Sequence, residues 1–187
     1  MLLDRVLGPT DGAKLRSDIG ALGSPRSLLV EGVTQDRGET RQFRFWVDEP
    51  ESSWAAVFDN GARWSYSAGI VDYGNGNSHP SSFHDSMSKP MKMLWPTEFL
   101  VWGERPTHFR PVLAQRIGQR SLLLTFEHGG DPAMRQTMVV DEDSGIATKR
   151  IEYDHATIIT STTALEDGTR TLDPTFEPIT DWIRPAY

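Results

Sequence analysis

Cysteine is absent from the 187 residues. That excludes disulfides, thiolate nucleophiles and cysteine-based zinc or iron–sulfur sites. Basic clusters are missing too. Lys and Arg number 19 against 26 Asp and Glu, a formal charge of −7. A duplex-binding protein carries a basic stripe, so neither nucleic acid nor an anionic membrane surface is an expected partner. No stretch approaches the roughly 18 apolar residues of a membrane span. The opening MLLDRVLGPTDG lacks the basic segment and apolar core of a secretory signal. With no cysteine to protect, this fits a cytoplasmic protein. Catalytic signatures are also lacking: no G-x-S-x-G, no H-E-x-x-H and no H-x-H occur. GNGNSH (74–79) resembles a phosphate-binding turn but lacks both the glycine spacing and the Lys-Ser/Thr ending.

What is present suits a globular chain. Hydrophobic residues make up 37% and charged residues 24%, and the length fits one domain over residues 1–187, since single domains run about 100–200 residues. Leu15, Ile19 and Leu22 recur at helical spacing, which predicts a helix over 10–22 with Thr10 as its cap. Strands follow at 26–36, 41–48, 53–61 and 62–70. In 41–48, Phe43, Phe45 and Val47 share one face, with Arg44, Trp46 and Asp48 on the other. Asn60-Gly61 predicts a hairpin turn. In 62–70, alternation places Trp64, Tyr66, Ala68 and Ile70 together.

The pattern breaks at Asp72. Residues 74–85 have no periodicity and read as a mobile loop or gate. KPMKMLWPTEFLVWG (89–103) is the most apolar and aromatic stretch, with Pro96 placed to start a short helix and Gly103 to end it. Strand patterns return at 109–117, 121–128, 135–153 (two arms about an acidic turn, Asp141 to Gly145) and 156–165. The tail from Leu172 to Tyr187 reads as packed but irregular. The order of elements predicts an α+β fold with a mainly antiparallel sheet.

Two kinds of site are open. His79, His84 and Asp85 stand close enough in sequence to meet around a metal or a proton-transfer centre, although their spacing matches no metal motif. A solvated polar loop is the ordinary reading of such a stretch, so no metal site is assigned. His128, at a strand end, is the other acid–base candidate, whereas His155 is expected in solvent. The aromatic set is more informative. Aromatics dominate cores, yet a sheet with one apolar face must be covered. Here the expected cover is short and methionine-rich, and methionine suits adaptable binding surfaces. Phe43, Phe45, Trp64 and Tyr66 are expected to line a concave face, with Met91, Met93, Trp95, Phe99 and Trp102 in the cover and an apolar pocket between them.

The sequence of helix, antiparallel strands, apolar crossing and further strands resembles the LolA/LolB-like superfamily, the half-barrel fold of bacterial lipoprotein carriers. The local match is TMVVDEDSGIATKRIEY (137–153), a strand–Asp/Gly turn–strand pattern, together with TFEP (175–178). The resemblance spans residues 10–180. It implies a curved antiparallel half-barrel, with an N-terminal helix and short helices over the concave face, that binds a hydrophobic small molecule or acyl chain. An enzyme of the violacein pathway shares that fold and needs no cofactor. The resemblance therefore also implies a second possibility, a cofactor-independent enzyme of small-molecule (secondary) metabolism with His79, His84, Asp85 or His128 handling protons. A third reading is an acidic partner that neutralises a basic protein. The long lid helices of the carriers have no counterpart in this sequence.

Overall fold

The structure, a computed structural model, describes residues 3–23, 26–105, 107–166 and 170–177. In chain order its elements are β1 (Arg5–Val6), α1 (Asp11–Gly20), β2 (Ser27–Asp36), β3 (Glu39–Asp48), β4 (Ser53–Phe58), β5 (Arg63–Ser67), β6 (Ile70–Asp72) and β7 (Ser78–Pro80). Then come α2 (Lys89–Lys92), a 3₁₀ turn (Pro96–Glu98), β8 (Phe109–Ile117), β9 (Ser121–His128), β10 (Asp131–Asp141), β11 (Ala147–Ile151) and β12 (His155–Ala164).

All twelve strands join one antiparallel sheet, ordered β1-β8-β9-β10-β11-β12-β2-β3-β4-β5-β6-β7. It consists of two meanders, β2 to β7 and β8 to β12, zipped together where β12 pairs with β2, with the short β1 added to the outer edge of β8. Laid flat, twelve strands would span about 53 Å. Yet Val71 on β6 and Ala114 on β8, far apart in strand order, belong to one buried cluster with α1 and the crossing segment. The sheet therefore bends around its apolar face, as its twist favours, and stays open.

Topology dictates what covers that face. β7 lies at one edge of the sheet and β8 beside the other, so residues 81–108 must travel the full width. They travel across the apolar side, which explains their composition. Met91, Met93, Leu94, Phe99 and Trp102 are buried there. Likewise α1 links edge strand β1 to central β2 and buries Leu15 and Ile19 on the same side.

The expected elements match these closely, with four corrections. Thr10 makes no side-chain cap bond; instead the Asp11 carboxylate accepts from the Gly8 N–H (2.9 Å) and from Arg5 (2.7 Å). Ala68 and Gly69 form a turn with positive φ, so the face alternates anew: Val71 is buried and Ile70 exposed. Residues 74–85 are not one loop, because β7 pairs with β6 and makes this stretch the edge hairpin. Finally, the helix expected between Pro96 and Gly103 is a single 3₁₀ turn ending at Glu98.

The tail is described only to Glu177, so Pro178 and the rest of its expected span lie outside the described residues. What is described crosses the outer face of β3. Arg170 pairs with Asp48, Arg44 donates to the Asp173 carbonyl (2.7 Å), and Phe176 lies under the Arg44 guanidinium.

Candidate functional site: the open end of the half-barrel

Antiparallel register gives the curved sheet two ends. One end holds the close of β2, β4, β6, β9 and β11 and the start of β3, β5, β8, β10 and β12. This end carries the candidate site.

Between the ends the concave face is occupied by the chain's own side chains. Phe43, Phe45 and Tyr66 are buried, as are Met91, Met93, Trp95, Phe99 and Trp102 above them. The sheet and cover side chains expected on either side of an apolar pocket belong to one buried cluster, with Trp64 packed against it. Three open depressions can be placed among the described residues. One of about 480 Å³ runs between α1 and the 3₁₀ turn. Another of about 380 Å³ lies beside the tail on the outer face. The third, about 560 Å³, sits at the open end against Trp64 and Tyr73.

Trp64 separates from the other sheet aromatics in this respect. It shares the inward face with Tyr66 but stands one step nearer the end, packed against the core and only partly buried. Phe58 tilts against it at 5.0 Å and Tyr73 meets it edge-on at 5.6 Å. These three rings make an aromatic mouth that continues the core outward.

Across the sheet, the same end is polar. Arg150 on β11 is 7% exposed and Gln136 on β10 is 3% exposed, both facing inward beside Met138. The Arg150 guanidinium lies 4.1 Å from the Phe99 ring centroid, donates to Gln136 Oε1 (2.9 Å) and pairs with Glu152 (2.9 Å). Lys89 on α2 reaches Glu152 from outside at 3.6 Å. Next along, His155 is half-buried rather than in solvent, with Nε2 3.3 Å from Thr34 Oγ1 and 3.1 Å from Thr157 Oγ1. Burial and then Lys89 hold its pKa below the ordinary histidine value, with Arg150 adding to this and Glu152 and Asp36 opposing it. Burial also lowers the Arg150 pKa from its usual value, opposed by Glu152.

The proposed acid–base residues are scattered. His79 lies exposed on edge strand β7 near Tyr73. His84 sits at the other end of the half-barrel, edge-on to Phe83 and Trp95, with Nε2 buried and unbonded among the described residues. Asp85 accepts from Ser82 Oγ (2.6 Å). His128 Nδ1 accepts from the Gly130 N–H (3.2 Å) in its own turn. Among the described residues no group of three or more potential ligands could hold a metal ion.

Sequence reasoning missed Arg150 and Gln136 for a definite reason. Strict alternation along ATKRI would turn Lys149 inward with Ala147 and leave Arg150 outside. A bulge intervenes: Val140 faces Ala147 but Val139 faces Lys149, so Thr148 is extra and the faces exchange. Gln136 carried a weak signal, since it alternates with Met138 and Val140 and so belongs to the core face.

No helix among the described residues is long and apolar enough to cross a membrane. No family model matches the chain, and no curated protein matches it. Among solved structures it is similar to MucB, with 15% identity, a TM-score of 0.46, and coverage of 82% of this chain. It spans 58% of the length of that MucB chain. A conserved protein from Thermus thermophilus is 9% identical, with a TM-score of 0.49 and coverage of 81% of this chain and 86% of that one. The MucA/MucB complex of Pseudomonas aeruginosa gives 14% identity, a TM-score of 0.47, and coverage of 94% of this chain and 68% of the other.

Proposed function

We propose that the protein is a binding protein for a hydrophobic small molecule or acyl chain, which it takes at the aromatic mouth of the half-barrel. One observation carries this reading. Trp64 and Tyr73, both only partly buried, line a depression of about 560 Å³ together with Asn60, Arg63 and Asn75, and Phe58 packs behind Trp64. Ligand sites of about 300–1,000 Å³ lined by aromatic side chains are the common form for small molecules. The magnitude is modest. Burying about 300 Å² of apolar surface gains roughly 7 kcal/mol. Association removes at least about 4 kcal/mol of that. The mouth alone then holds a ligand in the millimolar range.

The test is an NMR titration with 2-naphthol, following the tryptophan indole N–H resonances. Saturable movement of the Trp64 signal is expected, and in Trp64→Ala the remaining indole signals are expected to stay still. A Trp64 resonance that stays still while others move overturns the assignment.

An enzyme on the same scaffold is the second reading, favoured by the buried, unbonded Nε2 of His84 beside Trp95. It requires turnover that His84→Ala abolishes while 2-naphthol still binds.

A further inference from the structure

Arg150 and Gln136 hold an unused recognition capacity. A guanidinium only donates, so the atom of Gln136 that meets it must be the carbonyl Oε1. That turns the amide Nε2 away from Arg150. This Nε2 and the Arg150 Nε are both buried, and neither has a hydrogen-bond partner among the described residues. Two donors on neighbouring strands, whose side chains share one hydrogen bond, are thus left without an acceptor, although Glu152 Oε1, 2.9 Å from Arg150 Nη1, is itself buried without a hydrogen-bond partner beside them. A buried donor left unpaired is destabilising, and an oxygen atom that accepts from both removes the penalty. Charge decides what kind. Arg150 carries one of the two donors, so its own positive charge is the nearest and an anionic oxygen is preferred there; Lys89 adds a second positive charge, and Glu152 and, beyond His155, Asp36 are the negative ones.

We propose that Arg150 and Gln136 form a carboxylate subsite and that the ligand is a long-chain carboxylate. This rests on the apolar mouth proposed above and names the class of molecule that uses it. The head accepts from Gln136 Nε2 and Arg150 Nε. The tail runs along the same end of the sheet, past His155 and Thr34, towards Trp64. From β11 to β5 is five strand spacings, about 24 Å along the sheet. A compact aromatic metabolite cannot reach both places, whereas an extended acyl chain can. Met138, opposite Arg150, and the Phe99 ring provide apolar surface directly behind the head, and methionine accommodates a variable chain.

The experiment is native mass spectrometry of the full chain with equimolar icosanoate and icosanol, whose extended chains match that span, at pH 8. A charge-assisted pair of hydrogen bonds predicts a preference for the acid of about tenfold or more. Gln136→Leu removes the amide donor but keeps the Arg150 charge and an apolar side chain of similar size, and is expected to narrow the preference for the acid without abolishing it. Gln136→Glu, by repulsion, is expected to suppress the acid adduct below the alcohol. Equal adducts in the wild-type protein, or a preference untouched by both variants, overturn the subsite: the two donors then serve a structural water only, and the apolar reading stands. If neither compound binds, the subsite falls, and the 2-naphthol titration at Trp64 reports separately whether the mouth falls with it.

Discussion

Single atoms decide several features of this molecule. Gly32 lies inward on β2, where a Cβ would collide with the Ile158 carbonyl oxygen and meet the Phe43 ring at 2.5 Å. Gly32→Ala is therefore expected to destabilise the fold by about 3 kcal/mol, visible as a lower urea midpoint with an unchanged slope. His155 sets a pH limit. Its folded-state pKa lies below the unfolded value, so the folded protein resists protonation there. The corresponding stability is complete above about pH 6.5 and is lost as pH falls through the folded pKa. Comparing thermal midpoints at pH 7.5 and 5 should show a drop that His155→Gln reduces; an equal drop in both proteins would place the titrating group elsewhere. The inward phenylalanines 43 and 45 were legible from alternation because no irregularity interrupts β3. Arg150 was not, because one extra residue at Thr148 exchanges the faces of β11 and leaves Ile151 50% exposed. Alternation carries no information about where such a residue is inserted.

Elements show the same division between local and distant causes. The turn after β10 was readable because its chemistry is local. The Asp141 carboxylate accepts from the Asp143 N–H (3.1 Å), the Ser144 N–H (2.9 Å) and the Ser144 hydroxyl (2.9 Å). Burial opposes ionisation there, but Ser144, Arg120 and Asp143 outweigh it and hold the Asp141 pKa below its usual value. Asp141→Ala is expected to lower stability by about 1–2 kcal/mol, measured by denaturant unfolding at pH 7. The path of the crossing was not readable. Its apolar character was plain, but the face it covers follows from β7 and β8 lying at opposite wings, and pairing across the sheet leaves no mark in local sequence. The edge hairpin at β6–β7 was missed for a related reason: Ser78, His79 and Pro80 are all exposed and lack an apolar alternation to reveal a strand.

For the whole molecule, the cover is a strap rather than a lid. It is continuous with the sheet at both wings, and the Met93 carbonyl accepts from the Ala147 N–H (2.9 Å) in mid-span. Lifting it would expose Met91, Met93, Leu94, Trp95, Phe99 and Trp102. At roughly 1.5–3 kcal/mol each, that equals or exceeds the stability of a typical domain. The Ala147 amide should then exchange with deuterium only through global unfolding, at a rate set by overall stability. Faster exchange, insensitive to mild denaturant, would reveal a strap that opens by itself. The seam between β12 and β2 has a consequence for biosynthesis. Leu28 finds its partner in Ala164, so a growing chain releases the first meander long before its neighbour exists. Until β12 leaves the ribosome, β2 presents an unpaired edge and the apolar surface of the first meander lacks that of the second. The protein should thus mature after translation, slowly, as sheets closed by distant pairs do, and it should draw on holdase chaperones in that interval.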